Sequence, residues 1–175
     1  NELGLDPKLV KAIEEMGYIE PTEIQRETIP LIKSGRDVFG QSITGSGKTA
    51  AFALPILEKM SHTGQIKVLV LVPTRELCEQ VANEFTKFSK YRPVKTTTVY
   101  GGVAIGPQIR DLCDSDIVVG TPGRILDHLS RHTLDLRNVS FLVLDEADRM
   151  LDMGFIEDVE TILRHIPKQR QTLLF

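Results

Sequence analysis

The fold is decided by one stretch of the sequence, SITGSGKT at residues 42–49. The apolar run before it, DVFGQS (37–42), is typical of a strand, and KTAAFALPILEKM (48–60) after it has the pattern of a helix. Gly45 and Gly47 let the backbone curl so that its N–H groups point inward and form a nest for an anion. The N-terminus of the following helix adds the positive end of its dipole. The stretch therefore predicts a strand, a phosphate-binding loop and a helix.

The same alternation of strand and helix continues along the chain. Further apolar runs predict strands at 67–72, 96–100, 116–120, 141–145 and 172–175, and several are continuously apolar, as in strands covered on both faces. Helical patterns occupy 6–17, 22 to about 34, 74–89 and 123–132. This order indicates an α/β fold, a mostly parallel sheet with helices on both faces. In such a sheet, ligands bind at the carboxyl ends of the strands.

Two residues of the loop and two after a later strand have the chemistry for phosphoryl transfer to water. Lys48 can reach the β- and γ-phosphates of a nucleotide, and the Thr49 hydroxyl can ligate Mg²⁺. Asp145, at the end of the run FLVLD, can hold the same metal, and Glu146 can orient and deprotonate the attacking water. We expect the Asp145 strand to lie next to the strand of the phosphate loop. The alternatives are a chance glycine-rich turn and a solvated acidic loop.

Composition indicates one soluble, intracellular domain, cytoplasmic or nuclear. The 175 residues are 41% hydrophobic and 26% charged, and no apolar run approaches the length of a membrane span. A net charge of −3 argues against a broad cationic surface that binds nucleic acid by charge alone. We expect Cys78 and Cys113 to be buried reduced thiols, the four histidines to lie at the surface or at helix ends, and the apolar stripe at 148–155 to pack in the core.

Several short motifs, in order along the chain, carry a family resemblance. TGSGKT (44–49) together with DEAD (145–148) resembles the first RecA-like domain of the DEAD-box RNA helicases. GYIEPTEIQ (17–25) is similar to the family's Q motif and PTREL (73–77) to its motif Ia; GG (101–102) and TPGR (121–124) match its other RNA-contacting elements in this domain. The resemblance implies one RecA-like ATP-binding domain, with N-terminal helices and the Q motif at 1–36 and the α/β core at 37–175.

The resemblance also implies the nucleotide site. The Q motif recognises adenine, and the Gln25 amide offers both a donor and an acceptor for the adenine edge. Taken without the family, Gln25 would be an ordinary helix residue. The implied nucleotide contacts are Thr22, Gln25, Ser42, Ile43, Thr44, Gly45, Ser46, Gly47, Lys48 and Thr49, with ATP and Mg²⁺ as cofactors. Ser42 and Cys78 stand where the family usually has alanine, and we expect little effect because both side chains are small.

The candidates for RNA contact are two junctions between strand and helix, PTREL and TPGR, and the pair Gly101 and Gly102, which permits close approach of the backbone. Free N–H groups at such junctions can bind a phosphate, although from the residues alone an ordinary helix cap is equally possible. The resemblance favours RNA, bound through its backbone without sequence specificity. Such binding needs no strongly basic face. The implied RNA-binding residues are Pro73, Thr74, Arg75, Gly101, Gly102, Thr121, Pro122, Gly123 and Arg124.

The ends of the sequence set further expectations. Asn1 suggests an excerpt, and the family's adenine-stacking aromatic would lie just before it; Phe175 directly precedes the expected SAT motif. Because the second RecA-like lobe is the other half of the family's site, we expect this chain alone, a monomer, to bind nucleotide weakly, hydrolyse it very slowly and not unwind RNA. An ATP-gated RNA clamp and a DNA helicase remain alternatives.

Overall fold

The structure is a computed structural model that describes residues 2–41 and 45–175. Among these residues, six strands pair in one sheet in which every pairing is parallel, in the order β1-β6-β5-β2-β4-β3. The strands are β1 (Val38–Phe39), β2 (Val68–Leu71), β3 (Thr96–Val99), β4 (Ile117–Gly120), β5 (Phe141–Leu144) and β6 (Gln171–Leu174). Because all of them run the same way, their carboxyl ends meet at one edge of the sheet.

Helices connect the strands, and local signals set their ends. They are α1 (Pro7–Glu15), α2 (Glu23–Lys33), α3 (Lys48–Glu58), α4 (Arg75–Phe88), α5 (Ile105–Leu112), α6 (Pro122–Ser130), α7 (Ala147–Asp152) and α8 (Ile156–Leu163). At the start of α1, the Asp6 carboxylate accepts a hydrogen bond from Lys8 N, and Pro7 stands at the first helical position, as predicted. After the same helix, Gly17 adopts φ 88°, a left-handed conformation that glycine tolerates best.

Two hydrophobic cores lie on the two faces of the sheet. Successive residues of β2 point to opposite faces, so Val68 and Val70 pack in the core formed with α1–α4, while Leu69 and Leu71 pack in the core formed with α5–α8. All four residues of this central strand are fully buried. The continuously apolar strand run is thus explained by two covered faces, and the predicted α/β class with helices on both faces is confirmed.

The order of the strands corrects one expectation about the site. The Asp145 strand, β5, does not adjoin the phosphate-loop strand, because β6 lies between β5 and β1 and pairs with both. Strand order depends on pairing between distant segments, which a local pattern does not encode. Helices α5 and α8 were also missed, and β1 is shorter than the predicted run at 37–42.

Three expectations about burial are wrong in part. Cys113 is exposed beyond the last turn of α5, whereas Cys78 is buried as expected. His128 lies in the last turn of α6, a helix-end position as expected, but it is fully buried there, and polar partners compensate for its burial. In the stripe at 148–155, Met150 is buried but Met153 is 46% exposed, because the short helix α7 turns only one side toward the sheet. Within the described residues, we find no helix with the length and hydrophobicity to cross a membrane.

Candidate functional site

The lysine of the phosphate loop and the acidic pair after β5 meet at the carboxyl edge of the sheet. Lys48 begins α3, and its Nζ lies 3.0 Å from Asp145 Oδ1 and 3.8 Å from Glu146 Oε1. The intervening strand β6 separates β1 from β5 by roughly 10 Å. The long side chain of Lys48 spans this gap. The three residues predicted to carry the phosphate chemistry therefore form one cluster.

Asp145 is a fully buried carboxylate with few partners. Its backbone N–H continues the sheet by donating to Leu71 O at 3.0 Å. Apart from the ion pair with Lys48, neither of its oxygens accepts a hydrogen bond from the described residues, and the buried Ser46 Oγ is likewise unpaired there. Burial raises the pKa of Asp145, and the charge of Lys48 opposes the increase. A buried carboxylate left unsatisfied beside a phosphate loop is a costly arrangement in the absence of a ligand.

These donors fit Mg²⁺. Mg²⁺ commonly binds through one or two carboxylates together with substrate phosphates and water, without a full cage of protein ligands. Asp145 offers unsatisfied oxygens, and Thr49 lies in the first turn of α3 beside Lys48. Within the described residues no group of three or more His, Cys, Asp or Glu side chains could hold a metal by itself. A metal here would therefore depend on phosphate oxygens as well as on Asp145 and Thr49.

Glu146 has a strained backbone conformation. It adopts φ 55° and ψ 50°, a left-handed conformation that is unfavourable for a residue with a side chain. Its N–H donates to Phe175 O at 2.8 Å, which ties it to the end of β6. The side chain is partly exposed and accepts a hydrogen bond from Arg149 Nη1 at 3.3 Å. The tight turn thus holds the Glu146 carboxylate beside the buried Asp145 carboxylate, at the carboxyl edge of the sheet.

Gln25 connects the start of α2 to the phosphate loop. It is 4% exposed; its Nε2 donates to Gly47 O at 3.0 Å and its Oε1 accepts from Thr22 N at 3.0 Å. Gly47 adopts φ +80°, and a Cβ there would lie 2.5 Å from Gln25 Nε2. The predicted base-recognition motif and the phosphate loop are therefore in direct contact. Adenine recognition by Gln25 stays a prediction, and it requires the amide to exchange its present partners for the base.

The remaining residues of the predicted loop are only partly described. Gly45 is exposed with φ +83°, and a Cβ added there would meet no atom of the described residues within 4 Å. Ser42, Ile43 and Thr44 lie outside the described residues.

A second candidate site is an open groove at the same edge of the sheet. Its volume is about 410 Å³, and most of its lining follows the ends of three adjacent strands, β2, β4 and β3. The lining residues are Pro73, Arg75, Tyr100, Gly101, Thr121, Gly123, Arg124, Asp127 and Phe155. All three motifs predicted to contact RNA therefore converge on one surface. The first-turn N–H groups of α4 and α6, which have no partner within their own helices, lie at this edge.

The other predicted RNA-binding residues shape the groove without lining it. Thr74 is the N-cap of α4, and its hydroxyl accepts a hydrogen bond from Leu77 N at 3.2 Å. Pro122 is buried at the first position of α6, and Gly102 makes the turn after β3 with φ 81°. The helix-cap interpretation that the residues left open is thus correct for the Thr74 side chain, and it does not prevent the neighbouring amides from binding a phosphate.

Two arginines provide the positive charge of the groove. The Arg75 guanidinium lies 4.8 Å from the centre of the Tyr100 ring, and the Tyr100 hydroxyl donates to Glu79 Oε1 at 2.6 Å. The Arg124 side chain is only 13% exposed, and its Nη2 donates to Val103 O at 3.0 Å. Both side chains are therefore held in place before any ligand arrives.

Sequence reasoning missed three lining residues of this groove. Tyr100 ends the predicted third strand directly before GG, and an aromatic side chain in that position was a usable signal. Asp127 and Phe155 reach the groove only through the packing of α6 and α8, which no local pattern indicates.

The chain with these two sites matches a known protein family. A family model described as DEAD/DEAH box helicase matches residues 22–175, most of the chain. The chain belongs to the DEAD/DEAH box helicase family. The family resemblance carried by the motifs is thereby confirmed.

Several relatives of this DEAD/DEAH box chain have been named. It is 54% identical to the ATP-dependent RNA helicase CshA of Listeria monocytogenes, over all of this chain and 34% of the relative. It is also 54% identical to the ATP-dependent RNA helicase DeaD of Buchnera aphidicola, over 99% of this chain and 29% of the relative. The chain thus spans about a third of the length of the curated relatives it matches.

Solved structures confirm the RecA-like fold of the family. The crystal structure of a DEAD box protein from Methanococcus jannaschii matches with a TM-score of 0.97 at 48% identity, over all of this chain and 48% of that one. A hypothetical ATP-dependent RNA helicase from Sulfolobus tokodaii matches with a TM-score of 0.89 at 44% identity, over 97% of this chain and 50% of that one.

Proposed function

We propose that this chain is the ATP-binding lobe of an ATP-dependent RNA helicase. The observation that carries the proposal is the position of the cluster of Lys48, Asp145 and Glu146. It lies at the same edge of the sheet as the open groove that contains the N-termini of α4 and α6. Hydrolysis and nucleic-acid binding then take place on neighbouring strand ends. The names of the CshA and DeaD relatives support the same activity. Within the lobe, we assign base recognition to 1–36 and phosphate and RNA chemistry to 37–175.

The resting ion pair of Lys48 indicates how ATP engages the site. The β- and γ-phosphates compete with Asp145 for the Lys48 ammonium, while the N–H groups of the loop and of α3 bind phosphate oxygens. Asp145 and Thr49 would hold Mg²⁺, which supplies neutralisation of charge on the phosphates. Glu146 orients water and accepts its proton, because its carboxylate is partly exposed and fixed by the turn after β5.

The groove supports binding along the RNA backbone. Its first-turn amides and its two arginines are donors suited to phosphate oxygens, and contacts of this kind carry no sequence information. Asp127 adds a negative charge on the same surface, so affinity depends on geometry more than on net charge. We propose that a second RecA-like lobe completes both sites, and that its closure over ATP and RNA distorts a short duplex.

The experiment that tests this function is an ATPase assay on the two-lobe protein. The rate is measured without nucleic acid, with single-stranded RNA and with single-stranded DNA of the same length. We expect strong stimulation by RNA and little by DNA. Equal stimulation by DNA would refute the RNA assignment, and stimulation by neither would refute coupling between the two sites. RNA-dependent hydrolysis without strand separation of a short duplex would replace the helicase by an ATP-gated clamp.

A further inference from the structure

Gln108 lies outside the motifs named above, yet it joins two walls of the groove. It is on α5, with 7% of its surface exposed. Its Nε2 donates to Tyr100 O at 2.9 Å. Its Oε1 accepts from Arg124 Nη1 at 3.2 Å and contacts His128 Nε2 at 2.9 Å. One uncharged side chain therefore links the segment after β3 to helix α6.

The chemistry of these partners allows only one orientation of the amide. The Tyr100 carbonyl can only accept, and the Arg124 guanidinium can only donate. Turning the amide around would place two acceptors together at Tyr100 and two donors together at Arg124. Because Gln108 is buried, neither mismatch could be relieved by water, and each would cost a hydrogen bond. The amide is thus a fixed element of the groove.

His128, on α6, is the third hydrogen-bond partner of the Gln108 amide. Since Gln108 Oε1 only accepts, the neutral ring must carry its proton on Nε2, and the other ring nitrogen, Nδ1, accepts from the Thr133 hydroxyl at 2.7 Å. Burial lowers the pKa of His128, and the positive charge of Arg124 lowers it further. A neutral His128 therefore holds Gln108 without adding a second positive charge beside Arg124.

The consequence is a guanidinium that is preorganised. Gln108 and Val103 O take one N–H each from the two ends of the Arg124 fork, 3.2 and 3.0 Å away. A planar guanidinium has five N–H donors. The Arg124 Nε lies 3.9 Å from Asp127 Oδ2, and the second N–H of each Nη atom is left for a ligand. Fixing the side chain in advance removes the ordering cost that a free arginine incurs on binding. The Val103 contact ties Arg124 directly to the loop that carries Gly101, and Gln108 ties it to the same loop through Tyr100 O.

We propose that Gln108 is a positioning residue for nucleic-acid binding, which holds Arg124 and residues 100–103 in the arrangement that receives a backbone phosphate. This inference rests on the proposed function, since it assumes that the groove binds RNA. Gln108, although uncharged and buried, then affects the affinity for RNA by holding the Arg124 side chain.

The test is a double-mutant cycle on the two-lobe protein with a fluorescent polyuridine oligonucleotide and a non-hydrolysable ATP analogue. Gln108→Met keeps the length of the side chain and removes the amide. We expect Arg124→Ala to weaken binding about tenfold, Gln108→Met several-fold, and the double variant about as much as Arg124→Ala alone. Both single variants should lower the slope of log Kd against log salt concentration by up to about one. Measured without RNA, the affinity of Gln108→Met for the ATP analogue should equal that of the unmodified protein, because Gln108 lies outside the nucleotide site.

A matched control separates positioning from loss of stability. Ser115 is fully buried just before β4, at the amino ends of the strands and therefore opposite the groove. Its hydroxyl donates to Thr97 Oγ1 at 2.8 Å. Ser115→Ala should lower the melting temperature without changing RNA affinity or the salt slope. If Gln108→Met does not fold, Gln108→Asn serves instead, because its shorter amide stays polar but falls short of Arg124.

The outcomes distinguish this inference from the function on which it rests. Additive effects of the Gln108 and Arg124 variants, or a Gln108 effect no larger than that of Ser115→Ala, would overturn the positioning role. Failure of the unmodified protein to bind the oligonucleotide would instead overturn the RNA function itself.

Discussion

Removing the charge of Lys48 should destabilise the ligand-free chain, because Asp145 would be left buried without a cation. Breaking a buried ion pair by deleting one partner costs about 3–5 kcal/mol. Asp145 is fully buried, but the Lys48 side chain is 18% exposed, so water can reach part of the vacated space. We therefore expect Lys48→Met to lower the free energy of unfolding by about 2–3 kcal/mol, at or below the lower end of that range. For a chain of this size, that corresponds to a drop in Tm of roughly 5–10 °C.

The titration of Asp145 makes the stability loss of Lys48→Met depend on pH. Its folded pKa is raised, so protonation favours the folded state, and the deficit of Lys48→Met appears as pH rises through that pKa. The deficit should shrink on acidification, when the carboxyl becomes neutral. Adding Asp145→Asn to Lys48→Met should restore most of the lost stability at neutral pH, since it removes the unpaired charge.

Urea unfolding of this chain at neutral and acidic pH measures the changes in the free energy of unfolding, and thermal unfolding measures the change in Tm. A control is Lys33→Met, because Lys33 Nζ lies 3.3 Å from Glu58 Oε2 in a pair whose side chains are 28% and 21% exposed; the same ammonium also donates to Gly4 O at 2.8 Å and to Leu3 O at 3.3 Å. Loss of this better-solvated pair and of its two hydrogen bonds should cost about 1 kcal/mol, because water can replace these contacts. The reasoning is refuted if Lys48→Met costs no more than Lys33→Met, or if Asp145→Asn fails to relieve it.

Other predictions concern the phosphate loop, the base and a distant histidine. Gly47→Ala should weaken binding of a fluorescent ATP analogue, because its Cβ would lie 2.5 Å from Gln25 Nε2 and displace that amide. The Cβ of Gly45→Ala would meet no atom of the described residues within 4 Å, so this variant should lower the free energy of unfolding in a urea titration by only the backbone strain, about 1 kcal/mol. In the two-lobe protein, Glu146→Gln should retain ATP and RNA but slow hydrolysis by about 10²-fold or more in a single-turnover assay, and release of RNA on addition of ATP would contradict the role of the base. His62 should titrate above its usual range in an NMR experiment, because its ring is hydrogen-bonded at 2.7 Å to the Asp116 carboxylate, which also lies beside it as a negative charge. The stability from this contact is fully present below the unfolded pKa of the histidine and is lost as pH rises through the folded pKa, so His62→Ala should reduce Tm at mildly acidic pH and much less at alkaline pH.

Local patterns in the sequence were enough for most of the elements, with α5 and α8 as exceptions, and for choosing the residues that meet at the first site. The phosphate loop, the strand runs and the caps of α1 and α4 are set by neighbours within a few residues, so periodicity and turn chemistry expose them directly. The positions of the motifs directly after the strands also indicated that their residues would lie together at the carboxyl edge of the sheet, because all parallel strands end at that edge. The meeting of Lys48 with Asp145 and Glu146 follows from that rule, even though their strands are not adjacent.

Only the tertiary structure decided what depends on contacts between distant segments. The insertion of β6 between β1 and β5 depends on pairings across most of the chain. The burial of His128 and Gln108 depends on α5 packing beside α6, where each polar group finds a partner that a sequence pattern does not show. The hydrogen bond from Gln25 to Gly47 has the same origin. Periodicity reports which face of an element is apolar, whereas the partner of a buried polar group is chosen by the fold, and in this protein those partners shape both candidate sites.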